Sequence, residues 1–331
     1  MKYEFFIGLD VSKEKFDVCI LKQDQQQYIS WYVNSPAGVR KMLNDIKAIP
    51  GYNLQNSLFC MEHTGIYCGH LLKVLYGCDA AIWVEAPYKV KQVNRYQRGK
   101  SDSLDAQNIA LYAYKNRNDA SLWEPARPEL QKLRSLFNTR KRLIDQKKQL
   151  LTPLKEAENY VETSLHRMES KLIKPVVAAI TASLKEIDRQ IKELIKTDET
   201  IHNQYLLLTS VDGVGMITAV FMIITTREFK SFTDPRKFAC YSGVVPFPHA
   251  SGKSIKGKTR VSHLANKTAK TLLHMAALSS IVHSPEMKVY YERKVNAGKH
   301  KMLVLNAVRN KLVLRMFAVI RKNKPYERMA A

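Results

Sequence analysis

The first 123 residues alternate between runs typical of β-strands and runs typical of helices, and their order constrains the fold more than any other feature. Three runs rich in β-branched and aromatic residues come first, and the short gaps between them suit antiparallel hairpins. Two further strand-like runs then alternate with three helical ones. The strand-like runs are FFIGLDV (5–11), FDVCIL (16–21), QYISWYV (27–33), SLFCME (57–62) and AAIWVEA (80–86).

This order matches the ribonuclease H-like α/β layout, in which a mixed sheet lies between helices. In that layout the first and fourth strands are neighbours. Asp10 lies near the end of the first strand-like run, and Glu62 ends the fourth. A carboxylate within an apolar strand is costly to bury without a partner. We therefore expect Asp10 and Glu62 to lie side by side.

Two more acids follow in the segment KSDSLDAQNIA, where Asp102 and Asp105 share one face at a helix start. Helix capping explains this pair on its own. Joined by Asp10 and Glu62, they form a set of four hard oxygen donors, which suits Mg²⁺ or Mn²⁺ and phosphoryl transfer. Cations just before the pair fit a nucleic-acid backbone: Lys89, Lys91, Arg95, Arg98 and Lys100.

The charge of the chain is unevenly distributed. The formal net charge is +23, of which residues 1–125 carry +2 and residues 126–331 carry +21. This division predicts a chemical or scaffold domain joined to a polyanion binder, and the polyanion that we expect is nucleic acid. We expect no membrane partner, because the charge extends along the chain and no apolar run is long enough to span a bilayer. The five cysteines form no Cys-x-x-Cys pair, which favours a reducing cytoplasm.

Residues 126–200 are predicted to form a helical segment. No glycine occurs between Gly99 and Gly213, and apolar residues recur at steps of three and four. This pattern predicts a long helical hairpin, which is either a coiled coil that pairs subunits into a dimer or tetramer or an ordinary core face. Pro153 and Pro175 are expected to bend or break it.

Residues 201–331 are predicted to be mostly helical with a loop-rich centre. The segment DGVG (212–215) lies between two helical runs and resembles a helix-hairpin-helix, although a plain helical turn fits equally. No Asp or Glu occurs between Pro235 and Pro285, a span that includes HASGKSIKGKTR (249–260). A nucleotide-binding loop would need glycine where Phe247 stands. The remaining interpretations are a solvated basic loop and a serine nucleophile that takes acidic assistance from elsewhere.

Six motifs together closely resemble the insertion-sequence transposases with an N-terminal RuvC-like domain and a C-terminal catalytic-serine domain. That group includes the bridge-RNA-guided recombinases and the Piv-type invertases. The motifs occur in one order and extend over nearly the whole chain. They are IGLDVSKEKFDV, MEHTGIY, KSDSLDAQNIA, SVDGVGMITA, FACYSGVVP and SGKSIKGKTRVSHLANKTAKTLLHMAA.

The resemblance implies a site assembled from two parts of the protein. Asp10, Glu62, Asp102 and Asp105 would bind Mg²⁺ in a RuvC-like domain, residues 1–125. Ser251, in a catalytic-serine domain of residues 201–331, would attack a DNA phosphate, with the acids of a partner subunit completing the site. A structured non-coding RNA would select the DNA in guided members. Cations around the serine would contact nucleic acid: Lys253, Lys256, Lys258 and Arg260.

Some positions depart from the family pattern. His63 stands where a small residue is usual, and the segment VVPFPHASG lacks the expected arginine. Ser254 rivals Ser251 on chemistry alone, and only the motif prefers Ser251. The sequence thus predicts a DNA transposase or recombinase. Two alternatives remain: a metal-dependent, junction-resolving nuclease that uses only the four acids, and a nucleic-acid-binding protein without catalytic activity.

Overall fold

The computed structural model describes residues 3–22, 25–90, 102–251, 255–261 and 264–328, with the backbone alone for residues 25–29, 248–251 and 255–260. The chain forms two compact units, residues 1–125 and residues 126–331, here called the N-terminal and C-terminal units. The three-domain division, in which residues 126–200 stand apart, stays a prediction.

A mixed five-stranded sheet organises the N-terminal unit. Its elements are β1 (Phe5–Val11), β2 (Lys15–Lys22), β3 (Gln25–Val33), α1 (Pro36–Lys47), β4 (Ser57–Glu62), α2 (Gly69–Tyr76), β5 (Ala81–Glu85), α3 (Pro87–Val90) and α4 (Asp102–Lys115). The strand order is β3-β2-β1-β4-β5. The first three strands are antiparallel, whereas β4 runs parallel to both β1 and β5. The first and fourth strands are therefore neighbours, as the resemblance to the ribonuclease H-like layout implies.

The two faces of the sheet carry different helices. Alternate side chains of a strand point to opposite faces. Leu9 packs in a hydrophobic cluster with side chains of α1 and α2. Phe6 belongs to a second cluster, which includes Ala106 of α4. By alternation, Gly8 and Asp10 lie on the same face as Phe6, which is the face that α4 covers.

Helix α4 approaches β1 to within backbone contact at Gly8. A Cβ atom added to Gly8 would lie 2.2 Å from the carbonyl oxygen of Ala106 and 2.4 Å from the amide nitrogen of Ala110. Real Cβ atoms do not approach backbone atoms so closely. The absence of a side chain at Gly8 therefore determines how near the first turn of α4 lies to Asp10.

We predict that Gly8→Ala destabilises the N-terminal unit by about 1–3 kcal/mol, because overpacking forces α4 away from the sheet. Urea unfolding followed by the fluorescence of Trp83, which packs in the α4 cluster, measures the loss. Gly69→Ala is the matched control, since its Cβ would meet no atom within 4 Å and its φ of −57° is helical. Equal stability of the two variants would contradict the proposed role of Gly8.

The C-terminal unit is mostly helical. Its elements are α5 (Pro128–Ala157), α6 (Thr163–Thr197), α7 (Glu199–Thr209), α8 (Met216–Thr226), α9 (Pro235–Tyr241), β6 (Pro246–Ser251), β7 (Ile255–Val261), α10 (Lys267–His283), α11 (Pro285–Asn296) and α12 (Lys301–Lys322). A mixed α/β unit followed by a mostly helical remainder confirms that part of the predicted fold class. No helix in the described ranges is long and apolar enough to cross a membrane.

Helices α5 and α6 pack side by side in opposite directions. Arg140 Nε donates to Asp188 Oδ1 at 2.7 Å, and Lys147 Nζ donates to Thr181 Oγ1 at 2.8 Å. The two pairs have the same sum of residue numbers, which defines an antiparallel register.

Neither proline breaks this hairpin, so that part of the expectation is wrong, whereas the expected bend stays a prediction. Helix α5 continues through Pro153 and α6 continues through Pro175. Each proline removes a single backbone N–H from a helix of 30 or 35 residues. The remaining hydrogen bonds of such a long helix keep it continuous.

Arg127 connects the start of α5 to the start of α7 and to the segment that follows α8. Its guanidinium group donates to Asp198, the N-cap of α7, at 2.8 Å and also to the buried carboxylate of Glu228. Arg127 also holds the pKa of Asp198 below its usual range. Glu228 lies in a left-handed stretch after α8, where Arg227, Glu228 and Phe229 have φ values of 49°, 60° and 63°. Such backbone is strained for non-glycine residues, so the ion pair helps to hold it.

The loop expected around the serine motif is instead a two-stranded antiparallel sheet, β6 with β7. The prediction of an irregular loop is wrong. The missed signal is strict alternation in IKGKTRV, in which cations occupy every second position: Lys256, Lys258 and Arg260. This period of two is typical of a strand.

Candidate functional site

Four carboxylate residues form a row across the sheet on the face that α4 covers. Asp17 of β2 pairs with Asp10 of β1, and Glu62 of β4 pairs with Glu85 of β5. Leu9 pairs with Met61, so Asp10 and Glu62 occupy the next positions along those two parallel strands. Paired residues point to the same face, and adjacent strands lie about 4.8 Å apart. The row from Asp17 to Glu85 is therefore about 14 Å long.

Helix α4 adds two acids to this row. Asp102 and Asp105 lie in its first turn, just before the contact with Gly8. Burial raises the pKa of Asp10 to about 6, and repulsion from neighbouring carboxylates adds to the shift. In decreasing order of effect, these neighbours are Asp105, Asp102, Glu62 and Asp17. The fold thus gathers the four acids predicted from the sequence, together with Asp17.

Comparison with known proteins finds two transposase profiles that match the chain. A profile of IS110-type DEDD transposases matches residues 7–157, and a profile described as "Transposase IS116/IS110/IS902 family" matches residues 205–292. The "Pilin gene-inverting protein" of Moraxella bovis is 25% identical over 326 residues, which is 98% of each chain. That of Moraxella lacunata is equally similar. An "Insertion element IS110 uncharacterized 43.6 kDa protein" of Streptomyces coelicolor is 28% identical over 157 residues, 47% of this chain and 38% of that one.

The chain carries two transposase domains of the IS110/IS116/IS902 family. These domains imply an enzyme that cleaves DNA, and the DEDD profile suggests dependence on a divalent metal. The first profile covers all four acids of the predicted metal set, whereas the second covers the hairpin of Ser251.

Lys15 places a cation among the acids of the transposase, and sequence reasoning missed it. Its Nζ lies 2.8 Å from an oxygen of Asp102 and 3.3 Å from one of Asp17, and these two partners raise the pKa of Lys15. The turn before β2 holds this residue in position, since the Ser12 hydroxyl donates to the Lys15 carbonyl at 2.7 Å. Lys15 thereby links the β1–β2 hairpin to the start of α4.

Glu85, the last acid of the row, was also missed and is fully bonded. One oxygen accepts from Tyr112 Oη at 3.0 Å and from Lys89 Nζ at 3.1 Å, while the other accepts from the amide of Ala86 at 2.7 Å. Burial, followed by this hydrogen bond, raises the pKa of Tyr112. These contacts give Glu85 a structural role. They also place Lys89, a predicted nucleic-acid contact, in an ion pair.

The donor set of the transposase fits a hard divalent cation, because every candidate ligand is a carboxylate oxygen. Within the described ranges, however, no three His, Cys, Asp or Glu residues form a group that could hold a metal ion in the present arrangement. Asp102 instead forms an ion pair with Lys15. Direct ligation would therefore need side-chain movement, starting with release of Asp102 from Lys15.

Several predicted residues lie outside the described part of the transposase. For the following residues neither backbone nor side chain is described: Lys91, Arg95, Arg98, Lys100 and Lys253. For Ser251, Lys256, Lys258 and Arg260 the backbone alone is described. Ser251 is the last residue of β6 and pairs with Ile255, the first residue of β7. It lies five residues beyond Pro246, so about 17 Å of strand separates it from the base of the hairpin.

We predict that Asp10→Asn stabilises the metal-free transposase at neutral pH. The folded pKa of about 6 exceeds the ordinary aspartate value of 3.8, so ionisation of Asp10 weakens the fold as pH rises between these values. Removal of the charge should raise the free energy of unfolding by about 1–2 kcal/mol at pH 7.5. This is less than the full pKa shift of Asp10 implies, because solvent screens a partly exposed group. The gain in stability should vanish below the pKa that Asp10 has in the unfolded chain, where this residue is protonated in both states.

Urea unfolding across this pH range, with a chelator present, measures the effect. Asp79→Asn is the control, because Asp79 is exposed and precedes β5 at the end opposite Glu85. A gain in stability for Asp10→Asn that is independent of pH would contradict its assignment to the raised pKa of Asp10.

Proposed function

We propose that this transposase cuts and rejoins DNA through a covalent phosphoserine intermediate at Ser251. The observation that carries the proposal is the convergence of Asp10, Glu62, Asp102 and Asp105 beside one strand end, in a chain that also matches the family profile containing the serine hairpin. We further infer that the N-terminal unit is of the ribonuclease H-like, RuvC-like type, because its strand order agrees with that layout.

The chemistry follows from the groups available. The Ser251 hydroxyl oxygen would form a bond to phosphorus while the bond from phosphorus to one deoxyribose oxygen breaks. The hydroxyl proton passes from the serine, through solvent, to the departing sugar oxygen. In the second step a sugar hydroxyl of another strand attacks the phosphoserine, its oxygen forms the new bond to phosphorus, and its proton returns to the released serine oxygen. One phosphodiester bond is broken and one is made, so no nucleotide energy is needed.

A divalent ion, Mg²⁺ or Mn²⁺, would neutralise negative charge that develops around phosphorus. Asp10, Glu62, Asp102 and Asp105 are the residues we propose to hold it. The segment 235–285 contains no Asp or Glu, so the serine hairpin cannot supply such ligands itself. We therefore infer that the acids of the N-terminal unit and the serine of a C-terminal unit act on the same phosphate, with the two contributed by different subunits.

Assembly of such a site requires a homo-oligomer, for which a dimer or tetramer is our proposal. The far part of the α5–α6 pair supports a coiled-coil contact between subunits, because it exposes large apolar side chains that a second copy would cover. These are Ile144, Leu151, Leu165, Met168, Leu172 and Val176.

We propose that a structured guide RNA selects the DNA, as the resemblance to guided members implies, with base pairing supplying the specificity. The charge of +21 on residues 126–331 suits contact with two nucleic acids. The names of the full-length relatives favour inversion of a segment, and those of the partial relatives favour element insertion. Both reactions exchange strands by the chemistry proposed here.

We predict that Ser251→Ala abolishes the covalent protein–DNA adduct and strand exchange, because the nucleophile is lost. Recombination is assayed with the flanking non-coding RNA supplied, and mass spectrometry maps the trapped adduct to one residue. Ser254→Ala is the matched control and should still form the adduct.

The same assay tests the alternatives. A metal-dependent, junction-resolving nuclease is the second candidate function, since the acid set lies entirely within the N-terminal unit. That nuclease would be favoured if Ser251→Ala still cuts DNA in a metal-dependent way and the parent protein forms no covalent adduct. If the parent protein neither cuts nor exchanges strands, Asp102→Asn has no activity to remove. That outcome would favour the third alternative, in which the chain only binds nucleic acid.

We predict that Mg²⁺ raises the Tm of the N-terminal unit by preferential binding to the folded state. Because Lys15 competes for Asp102 and Asp17, Lys15→Met should lower the half-saturating Mg²⁺ concentration about 2- to 5-fold. Lys13→Met, which removes an exposed cation from the same turn, should leave it unchanged. A Tm that responds equally to Mg²⁺ in the parent and in Glu62→Gln would refute this metal site.

A further inference from the structure

An exposed tryptophan extends the row of acids by one strand. Trp31 of β3 pairs with Asp17 of β2, so the two side chains lie on the same face of the sheet. The Trp31 side chain is 56% exposed. The strand order places β3 at the edge of the sheet, next to β2. Trp31 therefore stands at the open end of the row, two strands from Asp10.

The exposure of Trp31 is unusual within this protein. Trp83 is 3% exposed and packs against Tyr112 with ring centroids 5.1 Å apart. Trp123 is partly buried and contacts Tyr76. Edge strands commonly carry charged residues, which keep other chains away. Val33, the next residue of β3 on this face, is also 57% exposed, so the edge beside the acids offers an apolar surface to solvent.

Trp31 supplies a kind of binding that the acid row cannot. Carboxylates repel a phosphate backbone, and residues 1–125 together carry a charge of only +2. Attraction between charges therefore holds a strand weakly near Asp10. Stacking of a base on an aromatic ring needs no charge, and every base has a face that can stack. It also needs an unpaired base, because bases within a duplex already stack on their neighbours.

We propose that Trp31 stacks on an unpaired base of the DNA strand whose phosphate lies at the acid row, and so positions that strand. This inference rests on the function proposed above. Two strand spacings place Trp31 about 10 Å from Asp10 along the row. A few nucleotides span that distance, since the rise per nucleotide is about 3.4 Å in duplex DNA. Strand exchange provides unpaired bases next to the cut. Trp31 is thus a positioning residue.

The test uses the full-length chain in the Ser251→Ala background, so that its result does not depend on serine chemistry. Tryptophan emission is recorded during titration with single-stranded DNA, RNA of the same sequence and the corresponding duplex DNA. High salt suppresses the binding of the basic C-terminal unit. Trp31→Phe keeps a ring and removes the signal, Trp31→Leu removes the ring, and Val33→Ala is the control on the same edge.

Single-stranded DNA should quench the tryptophan emission of the parent protein. The part of the quenching that arises from Trp31 should be missing in Trp31→Phe. The affinity at high salt should fall about 5- to 100-fold in Trp31→Leu and stay near the parent value in Trp31→Phe and Val33→Ala. Parental affinity in Trp31→Leu, quenching by duplex DNA alone or quenching by RNA alone would overturn the proposal. A missing adduct in the protein that retains Ser251, with Trp31 quenching intact, would instead overturn the serine mechanism.

Discussion

The backbone contact between Gly8 and α4 is the constraint on which the candidate site depends. The carbonyl of Ala106 lies where a side chain at Gly8 would stand, so α4 packs directly on β1. The face of α4 that meets the sheet accordingly includes three small buried residues, Ala106, Ala110 and Ala113. Close approach of a helix start to a strand end gathers carboxylates that are far apart in the sequence.

This gathering has an electrostatic cost. Burial and four neighbouring acids raise the pKa of Asp10, which means that its ionised form opposes folding at neutral pH. The protein offsets part of this repulsion with its own cations, Lys15 beside Asp102 and Lys89 beside Glu85. A strongly perturbed carboxylate within a cluster of acids is characteristic of a functional site, where local stability is given up for chemistry.

The sequence allows much of this fold to be predicted, because the relevant signals are local. SLFCME predicts the bounds of β4 correctly, and the expectation that Asp10 and Glu62 are neighbours came from the resemblance to the ribonuclease H-like layout. Asp17 and Lys15 were missed because their positions depend on the register of β2 against β1, which no pattern within β2 reveals. The same holds for Glu85. The β6–β7 hairpin was missed because its prolines, glycines and serines outweighed the alternation in β7.

The distribution of charge separates the two halves of the proposed chemistry. The acids stand in a unit that is nearly neutral and attracts a phosphate backbone weakly, whereas the serine stands in a span of 51 residues without a carboxylate. Merging the two in one segment would pair the cations with the acids and weaken both phosphate binding and metal binding. Keeping them apart preserves both functions, but neither part can then complete the reaction alone. On our proposal, cleavage therefore waits for assembly of subunits on DNA, which limits cutting by unassembled protein.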